Sequence, residues 1–294
     1  MNTFIQFAKW PHLVSLTRIN RPIGIWLLLW PVMWALWLAA NGVPNFKVLL
    51  IFILGTVLTR SAGCAINDYA DRHWDGSVNR TENRPLVTGD LTPKDALVTT
   101  AVLMLLAFVL VLFTNALTIK LSFVALFLAV LYPYTKRMTS WPQLFLGLAF
   151  AWAVPMAFAA QLDSVPATAW IVFAAAVIWA LAYDTLYAMV DRDDDLRVGI
   201  KSTAILFGRY DLHMIGFAQT TMLCLFMLAG HINGRGSVFF AGLCVAAFLV
   251  AKQLHNCRDR DRDACFKAFL DNHQVGLVLF VGLAGDYLLN QASV

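Results

Sequence analysis

Apolar residues in this chain come in long runs punctuated by short polar stretches. Nine runs stand out, at 23–41, 46–66, 96–114, 118–134, 142–161, 167–190, 212–231, 236–254 and 274–291. Each approaches the roughly 20 mostly apolar residues that a helix needs to cross a bilayer. Only Asn115 to Lys120 separates the third run from the fourth. The pattern predicts an all-α polytopic membrane bundle of about nine transmembrane helices. Ahead of the first run, Phe4, Ile5, Phe7, Trp10, Leu13, Val14 and Leu16 recur at mixed helical spacing. Residues 1–20 have no apolar core ahead of a small-residue cleavage site, so they are read as an interfacial helix and not as a signal peptide. No linker or break in composition divides the chain, and residues 1–294 are read as one domain. A weak internal echo exists: the second and sixth runs, four spans apart, each lead into an Asp cluster, as a duplicated half would.

Composition agrees. The chain is 60% hydrophobic and 14% charged, with a mean hydropathy of +0.67. A soluble domain carries about 25% charged residues, so the bilayer must solvate much of this surface. The net charge of +4 is small. There is no basic stripe interleaved with aromatics, which argues against nucleic acid as a partner, and nothing points to a protein partner. The five cysteines are odd in number and mostly lie in apolar runs. Cys257 and Cys265 lie eight apart, but no further Cys/His pair completes a metal set.

The placement of charge is more informative than its sum. Of 22 Lys and Arg residues, eighteen fall in the N-terminal segment and in alternate connections thereafter. They include Lys9, Arg18 and Arg21; Arg72, Arg80, Arg84 and Lys94; Lys136 and Arg137; then Arg192 to Arg209 and Lys252 to Lys267. Only Lys47, Lys120 and Arg235 lie on the other side, and Arg60 falls within the second run. The positive-inside tendency then puts the N-terminus and these connections in the cytoplasm. The C-terminus faces out, which agrees with an odd span count.

Two acidic clusters lie on that cytoplasmic side. In the first, Asn67, Asp71 and Asp75 sit at i, i+4 and i+8, with Asp68 three before Asp71. On one helix all four oxygen ligands would share a face. Like charges so placed repel, and desolvation at a membrane boundary worsens this. A hard divalent cation would neutralise them; Mg2+ takes one or two carboxylates and completes its shell with water and substrate phosphate. In the second cluster, Asp191 and Asp195 are again i, i+4, with Tyr187 and Asp184 four and seven before Asp191. Asp184 lies about two turns inside the apolar run, where an ionisable residue marks function by default. A single such pair reads as a solvated helix end, as Asp193 and Asp194 do here. Two together, facing each other, suit two Mg2+ ions clamping a diphosphate and stabilising the departing oxygen.

A diphosphate also calls for cations. Arg21, Arg72, Arg80, Arg84, Lys136, Arg137 and Lys201 are candidates, with Arg suited to bidentate anion binding and Lys to point-charge contact. Tyr132 and Tyr134 put aromatic rings at the same level, where they could shield a carbocation or simply form part of the interfacial belt. Arg60 could face the same cavity or brace the bundle. Asp286, deep in the last run, has no evident role, and the Asn79-Arg80-Thr81 sequon means nothing on a cytoplasmic side.

These residues resemble the UbiA superfamily of intramembrane aromatic prenyltransferases. Its NDxxDxxxD motif is met by Asn67, Asp68, Asp71 and Asp75, and its DxxxD motif by Asp191 and Asp195 with the Tyr183-Asp184…Tyr187 lead-in. Arg21-Pro22, Asn83-Arg84-Pro85-Leu86, Tyr132 to Arg137 and Gly199 to Thr203 look like its 4-hydroxybenzoate polyprenyltransferase branch. The resemblance covers nearly the whole chain. It implies a helical bundle around a central cavity open sideways to lipid. It also implies Mg2+-assisted loss of diphosphate from a polyprenyl diphosphate, attack by the ring carbon ortho to the hydroxyl of 4-hydroxybenzoate, and a place in ubiquinone biosynthesis. Asp71, Asp75, Asp191 and Asp195 would be catalytic; these four with Asn67 and Asp68 would hold metal. Asn67, Arg21, Arg72, Arg84, Lys136, Arg137, Asp184, Tyr187 and Lys201 would bind substrate, with Arg137, then Lys136, favoured for the acceptor's carboxylate. The expected location is a bacterial inner membrane. Another acceptor (a naphthoate, homogentisate or haem) within the same superfamily is the main alternative. An ion-coupled transporter would spread its carboxylates through the bilayer, and these concentrate at one interface. The Asp/Gly/Ala/Arg pattern of a CDP-alcohol phosphotransferase is absent.

Overall fold

The structure, a computed structural model, describes residues 2–77 and 80–291; the side chains of residues 2–8, 136, 290 and 291 lie outside the description. The described residues form helices and no strands. In chain order these are α1 (Asn2–Thr17), α2 (Ile23–Ala40), α3 (Phe46–Asp71), α4 (Pro93–Val111), α5 (Ala116–Met138), α6 (Pro142–Ala151), α7 (Ala153–Leu162), α8 (Ala167–Val198), α9 (Thr203–Phe207), α10 (Asp211–Ile232), α11 (Ser237–Asn256) and α12 (Arg262–Gln291). Among the described residues nine helical stretches are long and apolar enough to cross a membrane, with α6 and α7 counting as one and α9 and α10 as another.

Local chemistry sets the boundaries. The fifth run divides because Pro155 crowds the carbonyl four residues earlier, that of Ala151, where α6 stops. Thr92 and Asp95 form a capping box at the start of α4, with Pro93 at the first helical position. α8 is 32 residues long, about 48 Å of helix against a hydrocarbon core of about 30 Å. It therefore carries the second acidic cluster beyond its apolar run, then ends at Gly199, whose φ of 75° lies in the left-handed region that glycine adopts without steric cost.

α2 is the buried centre. Its Trp34 packs against Trp179 of α8 and Phe226 of α10, with ring centroids 5.2 and 5.0 Å apart, and donates Nε1–H to the Gly276 carbonyl at 3.1 Å. α4 and α5 instead expose apolar side chains such as Leu105, Phe123, Phe127 and Val130. One polar network ties four helices together inside the bundle. Asn272 accepts from Trp179 and Gln219, each at 3.1 Å, and donates to Gln253 at 3.2 Å, joining α8, α10, α11 and α12. Asp286 gains a role here: it accepts the Gly236 N–H at 2.9 Å and lies 3.7 Å from Arg235, capping the start of α11 from α12.

α1 lies where the residues before the first span were expected to form a helix. Leu16 is fully buried with Ala65, Leu91 and Ala96, and Lys9 pairs with Asp95 at 2.8 Å. α1 therefore rests on α3 and on the start of α4.

Candidate active site

The ends of α3 and α8 meet at one cavity of about 1420 Å³. Its polar end holds Asn67, Asp68, Asp71, Asp75, Asp184, Asp191, Asp194 and Asp195. The rest is walled by apolar side chains of α2 to α6, among them Leu27, Phe52, Leu105, Phe108, Phe123 and Leu126. Leu105, Phe123 and Leu126 are among the more exposed large apolar side chains. The two acidic clusters thus line one cavity.

The first cluster departs from the single helical face that its spacing predicts. α3 ends at Asp71, and Asp75 opens a 3-10 turn (Asp75–Ser77). The Trp74 N–H bonds the Asp71 carbonyl at 2.8 Å, a tighter turn than the α-helix makes. The break separates three carboxylates that a continuous helix would stack. It also lets Asp75 accept from Arg84 at 2.7 Å through its carboxylate and from the Thr81 hydroxyl at 2.7 Å through its carbonyl. Burial, then neighbouring Asp71 and Asp68, hold the Asp75 carboxyl above its ordinary range against the pull of Arg84. Asp68 is 1% exposed, and its Oδ1 lies 2.5 Å from Arg18 and 3.0 Å from Arg84.

The second cluster keeps its helical geometry. Asp191 and Asp195 both lie on α8. Arg80, from the loop after α3, grips Asp191 with Nε at 3.0 Å and Nη2 at 2.5 Å. The same guanidinium lies 4.5 Å from the Tyr187 ring centroid. Burial works to lower the Arg80 pKa, but Tyr187 and Asp191 outweigh it and raise it, so the group stays firmly cationic. Asp193 is exposed, as expected, whereas Asp194 is buried and pairs with Arg262 at 3.1 Å and Arg197 at 3.6 Å. That correction has a clear cause: α12 starts alongside the end of α8, and its first residue, Arg262, also donates to the Val190 carbonyl at 2.7 Å.

The cations sort into two groups. Arg21, Arg84 and Lys201 line the cavity, as do Tyr132, Tyr134 and Tyr187. Arg72 and Arg137 are not among the lining residues. Arg72 stacks on Tyr69 at 4.2 Å and donates to the Tyr69 carbonyl. Arg137 donates to the Ala70 carbonyl at 2.7 Å, lies 3.3 Å from Asp71 and covers the Trp74 ring at 3.9 Å. It braces the end of α3 from outside. The Lys136 side chain lies outside the described residues. Arg60 faces the cavity from within its span, and its Nε is buried without a hydrogen-bond partner. Its guanidinium runs so close over Gly24 that a Cβ there would lie 2.2 Å from Nε. Residue 24 must therefore be glycine for Arg60 to hold this position. Spacing missed Arg18, Arg262 and Asp194 because their partners lie on distant segments.

The donor set suits a hard cation: carboxylate oxygens, and the Asn67 Oδ1, which is buried without a hydrogen-bond partner. Among the described residues no three His, Cys, Asp or Glu side chains converge closely enough to hold an ion. Asp68, Asp71, Asp75 and Asp191 are each turned onto an arginine. Guanidinium groups thus lie against these carboxylates.

Residues 28–281 match the model of the UbiA prenyltransferase family. The 4-hydroxybenzoate octaprenyltransferase of Aeromonas salmonicida is 54% identical over 94% of this chain and 96% of its own. That of Saccharophagus degradans is 53% identical over 98% and 94%. Among solved structures, a UbiA homolog from Aeropyrum pernix superposes with a TM-score of 0.78 at 24% identity, covering 90% of this chain and 97% of that one. A UbiA homolog from Archaeoglobus fulgidus bound to GPP and Mg2+ gives 0.68 at 16% identity, covering 95% and 99%. These two speak to the fold.

Proposed function

This chain belongs to the UbiA prenyltransferase family, and from that membership we propose that it transfers a polyprenyl group from a polyprenyl diphosphate to 4-hydroxybenzoate, for ubiquinone synthesis. One observation carries the reading: a single cavity is acidic and arginine-lined at one end, apolar over the rest, and holds a half-buried arginine inside the span. A prenyl diphosphate has the same division. Its head group fits the polar end, and its tail fits the apolar part.

In the reaction the C1–O bond of the donor breaks and both electrons leave with the diphosphate. C1 of the allylic cation then bonds to the ring carbon ortho to the acceptor's hydroxyl, and that carbon loses its proton. Arg80, Arg84 and Lys201 bind the diphosphate oxygens. Tyr132, Tyr134 and Tyr187 present rings that shield the cation. Asn67, Asp71 and Asp75 on one side and Asp191 and Asp195 on the other are the residues that would hold Mg2+, which when bound neutralises charge on the leaving diphosphate. Arg60 replaces Arg137 as the partner of the acceptor's carboxylate, since Arg137 is spent on Ala70, Asp71 and Trp74. The protein works in the inner membrane of a bacterium, with its N-terminus and both acidic clusters in the cytoplasm.

Membranes holding the protein, supplied with Mg2+, labelled prenyl diphosphate and a panel of aromatic acceptors, test the proposal. Labelled 4-hydroxybenzoate product is expected. Transfer to no acceptor would sink the enzyme reading, and transfer to a naphthoate alone would sink the choice of acceptor.

A further inference from the structure

Arg18 holds none of the roles assigned above, yet the first acidic cluster leans on it. It directly follows α1 with φ at 54°, a left-handed conformation uncommon for residues other than glycine. A glycine would sit there more easily. The conformation sends the Arg18 side chain into the cavity wall, where Nη2 reaches Asp68 Oδ1 at 2.5 Å. The same oxygen receives Arg84 at 3.0 Å, and Arg84 continues to Asp75 at 2.7 Å. The result is an unbroken row: Arg18, Asp68, Arg84, Asp75. Asp68 is buried, and a buried carboxylate that loses one of two cations draws harder on the other. Without Arg18, then, Arg84 would shift toward Asp68 and away from Asp75. The origin of Arg18 is fixed independently, because Leu16 is buried against Ala65, Leu91 and Ala96, and Lys9 pairs with Asp95.

We propose that Arg18 is a positioning residue for the diphosphate end of the site: by holding Asp68 it leaves Arg84 shared with Asp75, so that one arginine and one carboxylate stay at a fixed spacing for the head group. This deepens the functional reading above and rests on it. It also gives Asp68 a different task from Asp71 and Asp75, that of a hub for two arginines.

The test is steady-state kinetics of the full chain in membranes. Arg18→Gly suits the left-handed backbone and removes the whole side chain, guanidinium included. It should raise the KM for polyprenyl diphosphate about tenfold or more, and shift the KM for 4-hydroxybenzoate less than about twofold. Arg18→Lys should recover part of the loss. Asp68→Asn should act like Arg18→Gly, and the double variant should be no worse than Asp68→Asn alone, because both break one row. If Arg18→Gly is lost from membranes, Arg18→Gln is read in its place. An unchanged donor KM, a fall in kcat alone, or fully additive losses would overturn the proposal. A wild-type protein that transfers nothing would overturn the functional reading instead.

Discussion

The two acidic clusters solve one problem by different means. On α8 the spacing of Asp191 and Asp195 is set by the helix itself, while Arg80 on Asp191 and Arg262 on the neighbouring Asp194 arrive from elsewhere in the chain. At the end of α3 the helix stops at Asp71, and Asp75 is placed by a 3-10 turn and by Arg84. Asp68 and Asp71 take Arg18 and Arg137, from α1's end and from α5. In one half the carboxylate spacing is local helix geometry. The other is an assembly of remote segments, open to change from any of them.

The largest expected effect removes that distinction. Asp71→Ala and Asp191→Ala should each cut product formation by at least about a hundredfold, while the protein stays folded in membranes. Near-normal turnover in both would refute a two-sided clamp. Next, Arg60→Gln should raise the KM for 4-hydroxybenzoate by about tenfold or more and leave the donor KM within about twofold. If Arg137→Gln did so instead, the acceptor's carboxylate would belong with the remote assembly.

A smaller effect separates the clusters by pH. The Asp75 carboxyl of the metal-free protein ionises above its ordinary range. Its folded pKa exceeds its unfolded one, so this group favours the metal-free fold as pH falls, and a cation must displace its proton. The half-saturating Mg2+ concentration for turnover should therefore rise as pH is lowered through this group's range. Asp75→Asn should flatten that part of the profile; an unaltered profile would remove Asp75 from the metal set. The smallest effect is structural. Asp193 is exposed within α8, and Asp193→Gly should cost about 0.3 kcal/mol, the difference between the two helix propensities, by thermal unfolding in detergent. His73→Gly, in the turn after α3, should cost less than about half of that. Equal costs would mean that the first cluster is also held by helix.

What the sequence revealed divides along the same line. The spans were legible because each is a run of one character, and so was the pair Asp191 and Asp195, since helical spacing is a local rule. The break between Asp71 and Asp75 was not, because it depends on Arg84 and Thr81 arriving from a loop whose path no periodicity encodes. Asp194 looked solvated for the same reason: its partner Arg262 stands 68 residues away. Arg60 was visible as a charge in an apolar run, but its unpartnered Nε and its dependence on Gly24 are facts of packing. Asp286 was equally conspicuous, and the structure turned it into a helix cap.

The apolar wall has one further consequence. Leu105, Phe123, Leu126 and Val130 line the cavity and stay well exposed, so they do not close tightly around an occupant. A wall with gaps makes a poor ruler. Isoprene units beyond the first few would leave the protein and meet only lipid, gaining nothing that a shorter donor lacks.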